Sequence, residues 1–236
     1  MTERPILFSE EMVQALLSSN KSQTRRIIKI PKDYEIHKTD ICRVVSPKGI
    51  KGRWGVLANN AKRDLHSPEV KHIPCPYGGV GDFLWVRETF LPNPSSDDLA
   101  WDNHHLSYYE WDGCGSRLAD VPPVLQKPEH CIYRASSTIQ DLKWRPSLFM
   151  PRWASRILLE ITNVRIERLT EISEGDAKSE GCDHSESIAA IEIGWYFKPL
   201  SAFRRLWEQI NGAKSWEMNP WVWVIEFKVI QQKSRN

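Results

Sequence analysis

Two stretches of the chain carry apolar residues at helical spacing. Met12, Val13, Leu16 and Leu17 share one face of a first helix, which Ser9 opens with a hydroxyl cap. Glu10 and Glu11 then sit at the positive end of its dipole. Ser18-Ser19-Asn20 ends it, with Asn20 expected to take the left-handed conformation. Phe203, Leu206, Trp207 and Ile210 form one face of a second helix, Pro199 to Ile210, with Pro at its first turn and Asn211-Gly212 at its end. Between them, Ser173-Glu174-Gly175-Asp176 is a capping box with Asp in place of the usual Glu. It opens a short helix that runs to about Glu180 and closes at Gly181.

Period-two and short apolar runs predict the strands. Pro5 to Phe8 is the first, and Thr24 to Ile30 the second, stopped by Pro31. Ile41 to Ser46 and Arg53 to Ala58 flank a Pro-Gly-rich turn and predict a hairpin. A turn-rich stretch from Pro74 to Asp82 delivers Phe83 to Arg87 as a strand. From Arg156 to Arg168 the alternation of Ile157, Leu159 and Ile161 shifts to Val164 and Ile166, which predicts a bulge or two strands. Trp221 to Ile230 alternates Val222, Val224, Glu226 and Lys228 against Trp221, Trp223, Ile225 and Phe227. Leu91 to about Pro128 is rich in Pro, Asp, Ser and Gly and predicts a surface insertion outside the core. The expected class is α+β, with about six mostly antiparallel strands curled into a small barrel.

Composition narrows the setting. The 236 residues are 41% apolar and 26% charged, which excludes global disorder. No apolar run reaches the ~18 residues of a membrane span, and the first residues lack the apolar core of a signal peptide. A cytoplasmic protein without membrane contact is expected. The net charge of +2 is unevenly spread: basic residues dominate from Lys21 to Lys71 and from Lys143 to Arg168, and acidic ones from Glu88 to Asp141. Two basic segments around an acidic insert can form a face for polyanions. The five cysteines include no C-x-x-C, so reduced thiols and no metal or cofactor are expected. Eleven tryptophans outnumber the phenylalanines. Trp85, Trp207, Trp221 and Trp223 fall on predicted core faces, whereas Trp54, Trp101, Trp111, Trp144 and Trp153 fall in or beside the insertions.

Lys21-Ser22-Gln23-Thr24-Arg25-Arg26 lies where the first helix hands over to the second strand. Strand alternation puts Thr24 and Arg26 on one face and Arg25 on the other, with Lys21 able to reach the Thr24 side. A lysine beside a hydroxyl becomes a base when burial lowers its pKa. Trp144, Arg145, Arg152 and Trp153 interleave aromatic and basic groups, a composition suited to stacking bases and holding phosphates.

The linear order of these motifs resembles the ASCH family of PUA-like barrels. It runs from Lys21–Arg26 through Gly81-Asp82-Phe83-Leu84-Trp85-Val86-Arg87 and Glu171–Gly181 to Trp223-Val224-Ile225-Glu226-Phe227-Lys228. Lys143–Ser147, Met150–Arg156 and Asn219-Pro220-Trp221 are similar to the larger ASCH proteins of phages and prophages. On that resemblance the chain is a single domain with its core at about 5–30, 81–89 and 156–230. Insertions lie at about 31–80 and 90–144. The resemblance implies a cleft that receives RNA, DNA or a modified nucleoside. It also implies a hydrolase site of the N4-acylcytidine amidohydrolase kind, with Thr24 as nucleophile, Lys21 as its base and Glu180 as acid or orienting group. Arg26 would hold a phosphate or oxyanion, with Ser22, Arg145, Arg152 and Trp153 as further contacts. Ribonuclease activity, a non-catalytic reader of RNA or a modified base, and a phage accessory scaffold for protein partners stay open beside it, as does the oligomeric state.

Overall fold

Residues 1–30, 32, 34–35, 55–60, 70–92, 118, 121, 123–139, 142–183 and 198–232 are described by the structure, a computed structural model. They form a mixed α+β fold that divides into two compact units. The first comprises 1–2, 19–82 and 160–228; the second comprises 3–18, 83–159 and 229–236.

The second unit begins with β1 (Glu3–Leu7) and α1 (Glu10–Leu17). Ser9 caps α1 as expected, its hydroxyl accepting from the Met12 N–H at 3.4 Å. The residue that turns left-handed beyond α1 is Ser19 (φ 62°), not Asn20. Strand β1 runs parallel to β6 (Phe83–Arg87), with Pro5 opposite Trp85. Here the sequence expectation needs a correction. The start of the supposed surface insertion is β7 (Phe90–Pro92), fully buried and paired antiparallel with β8 (Cys131–Tyr133). Val121 and Leu125 are buried as well. Phe90, Cys131, Tyr133, Met150 and Ala154 pack as one cluster, so this stretch contributes core.

In the first unit β10 (Trp221–Gln232) lies between β9 (Ile157–Arg168) and β2 (Gln23–Ile27). Strands β9 and β10 each run on into the second unit. β9 is one continuous strand rather than two, and the expected phase change shows in its burial. Ile157, Leu159 and Ile161 are buried on one parity and Val164 on the other. β10 buries both faces over its first five residues, which is why its alternation is not of the apolar-in, polar-out kind. A separate sheet orders β3 (Tyr34–Glu35), β4 (Gly55–Asn60) and β5 (Val70–Pro74). β4 pairs antiparallel with both neighbours; the expected first hairpin arm, 41–46, lies outside the described residues. The described residues hold ten strands against the expected six, and β3, β7 and β8 are only two or three residues long.

Among its described residues the first unit has the α-helices α2 (Glu174–Ser179), with the expected Ser173–Asp176 capping box, and α3 (Pro199–Asn211). Phe203 and Trp207 of α3 pack with Val222 and Val224 of β10, and Trp216 lies against Phe203 at 6.2 Å between ring centroids. Ile210, expected on the apolar face, is instead 52% exposed in the last turn. Trp85, Trp207, Trp221 and Trp223 are buried as expected. No helix among the described residues is long and apolar enough to cross a membrane.

Candidate functional site

Local backbone geometry brings Lys21 and Glu180 together. Past Ser19 the chain enters an antiparallel bridge between Lys21 and Glu180. Ser22 donates its N–H to the Ser179 carbonyl at 2.8 Å, and its own carbonyl accepts from Phe227 N–H at 2.9 Å. The segment is thus stitched between the end of α2 and β10. Glu180 is the C-cap of α2, and Gly181 follows at φ 87°, a conformation that favours glycine. A helix end leaves carbonyls without partners. Lys21 Nζ donates to the Glu180 carbonyl at 2.7 Å and to its Oε2 at 2.9 Å. Side-chain exposure is 0% for Lys21 and 3% for Glu180, so neither is the solvated surface group that its local sequence suggests.

This pair anchors a larger charged network. Arg25, also buried, donates to Glu180 Oε1 at 3.3 Å, to Asp176 Oδ2 at 3.0 Å and to Glu167 Oε2 at 3.1 Å. Arg165 of β9 donates to Asp176 Oδ1 at 2.8 Å and Gln23 Oε1 at 3.2 Å, and reaches Glu167 and Glu226. Lys21 and Arg25 therefore meet on one carboxylate, whereas Thr24 alternates to the other side of β2, opposite Ile225 of β10. Thr24 is buried. Arg26 is partly buried beside Tyr77. Burial pulls its guanidinium pKa down, while Tyr77 and Glu180 push it back up.

The electrostatics select some chemistries and exclude others. Burial, then Glu180, pushes the Cys182 thiol up to about 11 against the opposing pull of Lys21, so it is not a thiolate nucleophile at neutral pH. Burial would raise the Asp176 carboxyl, but Arg25 and Arg165 outweigh it and hold it below the ordinary carboxylate value. Its folded-state pKa is depressed, so its stabilisation is present above the ordinary aspartate value and is lost as pH falls through the depressed one. Asp176→Asn is expected to cost about 1.5–3 kcal/mol at neutral pH, the worth of hydrogen bonds to charged groups. That deficit should shrink on acidification, as read from urea midpoints at neutral and acidic pH.

The remaining residues singled out by sequence have mixed placements. Ser22 is exposed at the edge of the Lys21–Glu180 bridge. Arg145, Arg152 and Trp153 belong to the second unit. Arg145 exchanges both backbone hydrogen bonds with Phe90, at 2.9 and 3.2 Å. Arg152 donates to Glu3 Oε2 at 2.7 Å in an exposed pair. Trp153 packs against the Phe90 cluster, and the Arg134 guanidinium lies 5.6 Å from the Trp144 ring centroid. Sequence reasoning missed Arg25, Arg165, Glu167 and Glu226 as site members. The available signal was the spacing of two between Gln23 and Arg25 and between Arg165 and Glu167, which puts each pair on one face of a strand. Comparison with protein-family models, curated proteins and solved structures finds no match to this chain.

Proposed function

We propose that the chain is an ASCH-type, PUA-like barrel protein that binds a nucleoside or RNA at the Lys21–Thr24–Glu180 site. The observation that carries this reading is the buried ion pair at 2.9 Å between two residues 159 positions apart, both of which the family resemblance marks as site residues. A buried Lys–carboxylate pair is costly to keep, since apolar residues of similar size would pack the same space at no desolvation cost.

Hydrolysis of an N4-acylated cytidine is the reaction that this trio supports. In that reaction Lys21 swings from Glu180 to the other face of β2 and accepts the Thr24 hydroxyl proton as Oγ attacks the acyl carbonyl. Collapse of the tetrahedral adduct breaks the C–N bond, and Lys21 returns the proton to the departing N4 amine. Water then cleaves the acyl-threonine ester, with its proton passing along the same pair, and releases the acid. The test is incubation with N4-acetylcytidine and detection of cytidine and acetate. Turnover is expected, with Thr24→Ala and Lys21→Ala each losing at least about 100-fold, the scale of a general-base contribution. Turnover that survives Lys21→Ala rejects the assignment.

One observation favours binding without chemistry. Lys21 Nζ donates to two acceptors of Glu180, its carbonyl and its carboxylate, while Thr24 lies on the other side of β2. A lysine engaged there takes no proton from Thr24. On this reading N4-acetylcytidine binds by calorimetry without being consumed, and Thr24→Ala leaves the affinity within about twofold, a difference of a few tenths of a kcal/mol.

A further inference from the structure

The second unit holds a cavity of about 450 Å³ that no part of the Lys21 site lines. Its walls come from the end of α1, from β8 and the turn after it, and from the segment that leads into β9. Leu17 and Ile132 supply apolar surface, Ser136 and Thr138 supply hydroxyls, and Tyr133, Arg156 and the Gln232 amide are among the other lining groups.

Arg156 is the informative residue. Its side chain is 6% exposed, and its guanidinium lies 4.0 Å from the Tyr133 ring centroid. Nε and Nη2 each donate to one oxygen of Glu88 at 2.8 Å, a side-on fork. A guanidinium carries five N–H donors. The fork uses two, so three donors of a buried cation at a cavity wall are left for another acceptor. Glu88 already neutralises the charge, so an anion gains little there and would itself have to shed water. A neutral oxygen acceptor gains the hydrogen bond without that cost. The hydroxyls of Ser136 and Thr138 can both donate and accept, which suits the N–H and C=O edge of an amide. The volume lies within the range of small-molecule pockets, roughly 300–1,000 Å³.

We propose that this cavity is a binding site for a small neutral molecule bearing a carbonyl acceptor, of the amide or lactam class, with the carbonyl oxygen on the Arg156 guanidinium. It is independent of the Lys21 site and of the reading given to that site.

Fluorine NMR with three probes of similar size tests it: 5-fluorouracil as the neutral lactam, fluorobenzene without a carbonyl, and 5-fluoroorotate as the anion. At near-neutral pH the full chain should broaden the 5-fluorouracil resonance with a Kd at or below about 1 mM, and both other probes should bind at least about tenfold more weakly. Ser136→Trp fills the cavity from an exposed position and should weaken 5-fluorouracil at least about tenfold, a loss of ~1.4 kcal/mol, with an unchanged urea midpoint showing that the fold is kept. No broadening at millimolar lactam means that the cavity holds water only, which overturns the proposal. Fluorobenzene or 5-fluoroorotate binding as well as the lactam, or binding indifferent to Ser136→Trp, overturns it equally.

Discussion

Glu180→Ala is expected to destabilise the chain by about 3–5 kcal/mol, the cost of leaving a buried charge without its partner. The substitution strands two cations. The Lys21 side chain is 0% exposed and loses its carboxylate at 2.9 Å, and Arg25, equally buried, loses its 3.3 Å contact. Asp176 and Glu167 still serve Arg25, so the larger share of the loss falls on Lys21. The double variant Lys21→Met, Glu180→Leu removes both charges together and should recover most of the loss, since apolar replacement of a buried pair is often neutral or stabilising. Urea unfolding of the two variants separates these outcomes. A single variant within about 0.5 kcal/mol of the parent, the range of ordinary surface substitutions, would show that water reaches the pair.

Arg156→Met should cost a similar ~3–5 kcal/mol at neutral pH, for the mirror-image reason. Glu88 is 2% exposed and loses both oxygens' partners, and Tyr133 loses the cation over its ring at 4.0 Å. The Arg156→Met loss depends on pH. Burial raises the Glu88 carboxyl above its ordinary value even with Arg156 pulling it down. Without Arg156 the burial effect stands unopposed by that cation. A raised folded-state pKa gives stability that is fully present below the ordinary glutamate value and is lost as pH rises through the raised one. The variant should therefore regain stability on mild acidification, opposite in sign to the acid loss carried by Asp176. Tracking the urea midpoint of Arg156→Met from neutral to mildly acidic pH checks this, and a midpoint that falls with acidification contradicts it.

The parts of the structure that depend on residues three or four apart were legible in the sequence. The Ser9 cap, the Ser173–Asp176 box, Pro199 at the start of α3 and Gly212 past its end all stand where local chemistry puts them. The misses share another cause. β7 reads as the start of a loop because its partner, β8, lies some forty residues further on, beyond a stretch of turn-forming residues. Arg25 on a strand reads as a solvent-facing cation, since the carboxylates that justify its burial are 142 to 155 positions away. Glu180 reads locally as a helix end in water. Its pairing with Lys21 and Arg25 explains an exposure of 3%. The motif order singled out Lys21, Thr24 and Glu180, but not the cationic and acidic groups around them. Arg25, Asp176 and Glu226 lie inside the motifs and Arg165 and Glu167 outside them, and the contacts that join the five cross between segments far apart in the chain.

The register of β2 against β10 also dictates when this protein can become itself. Gln23 pairs with Glu226 and Ile27 with Val222, partners separated by about 200 residues of chain. On a ribosome adding roughly 5–20 residues per second, β2 emerges about 10–40 s before the strand it needs. Throughout that interval Arg25 faces no β10, and no Glu180 exists for Lys21 until most of the chain has been made. The nascent N-terminal third must therefore remain soluble with an incomplete charged network. The same charges that cost desolvation in the finished fold serve, during synthesis, to keep an unpaired strand in water.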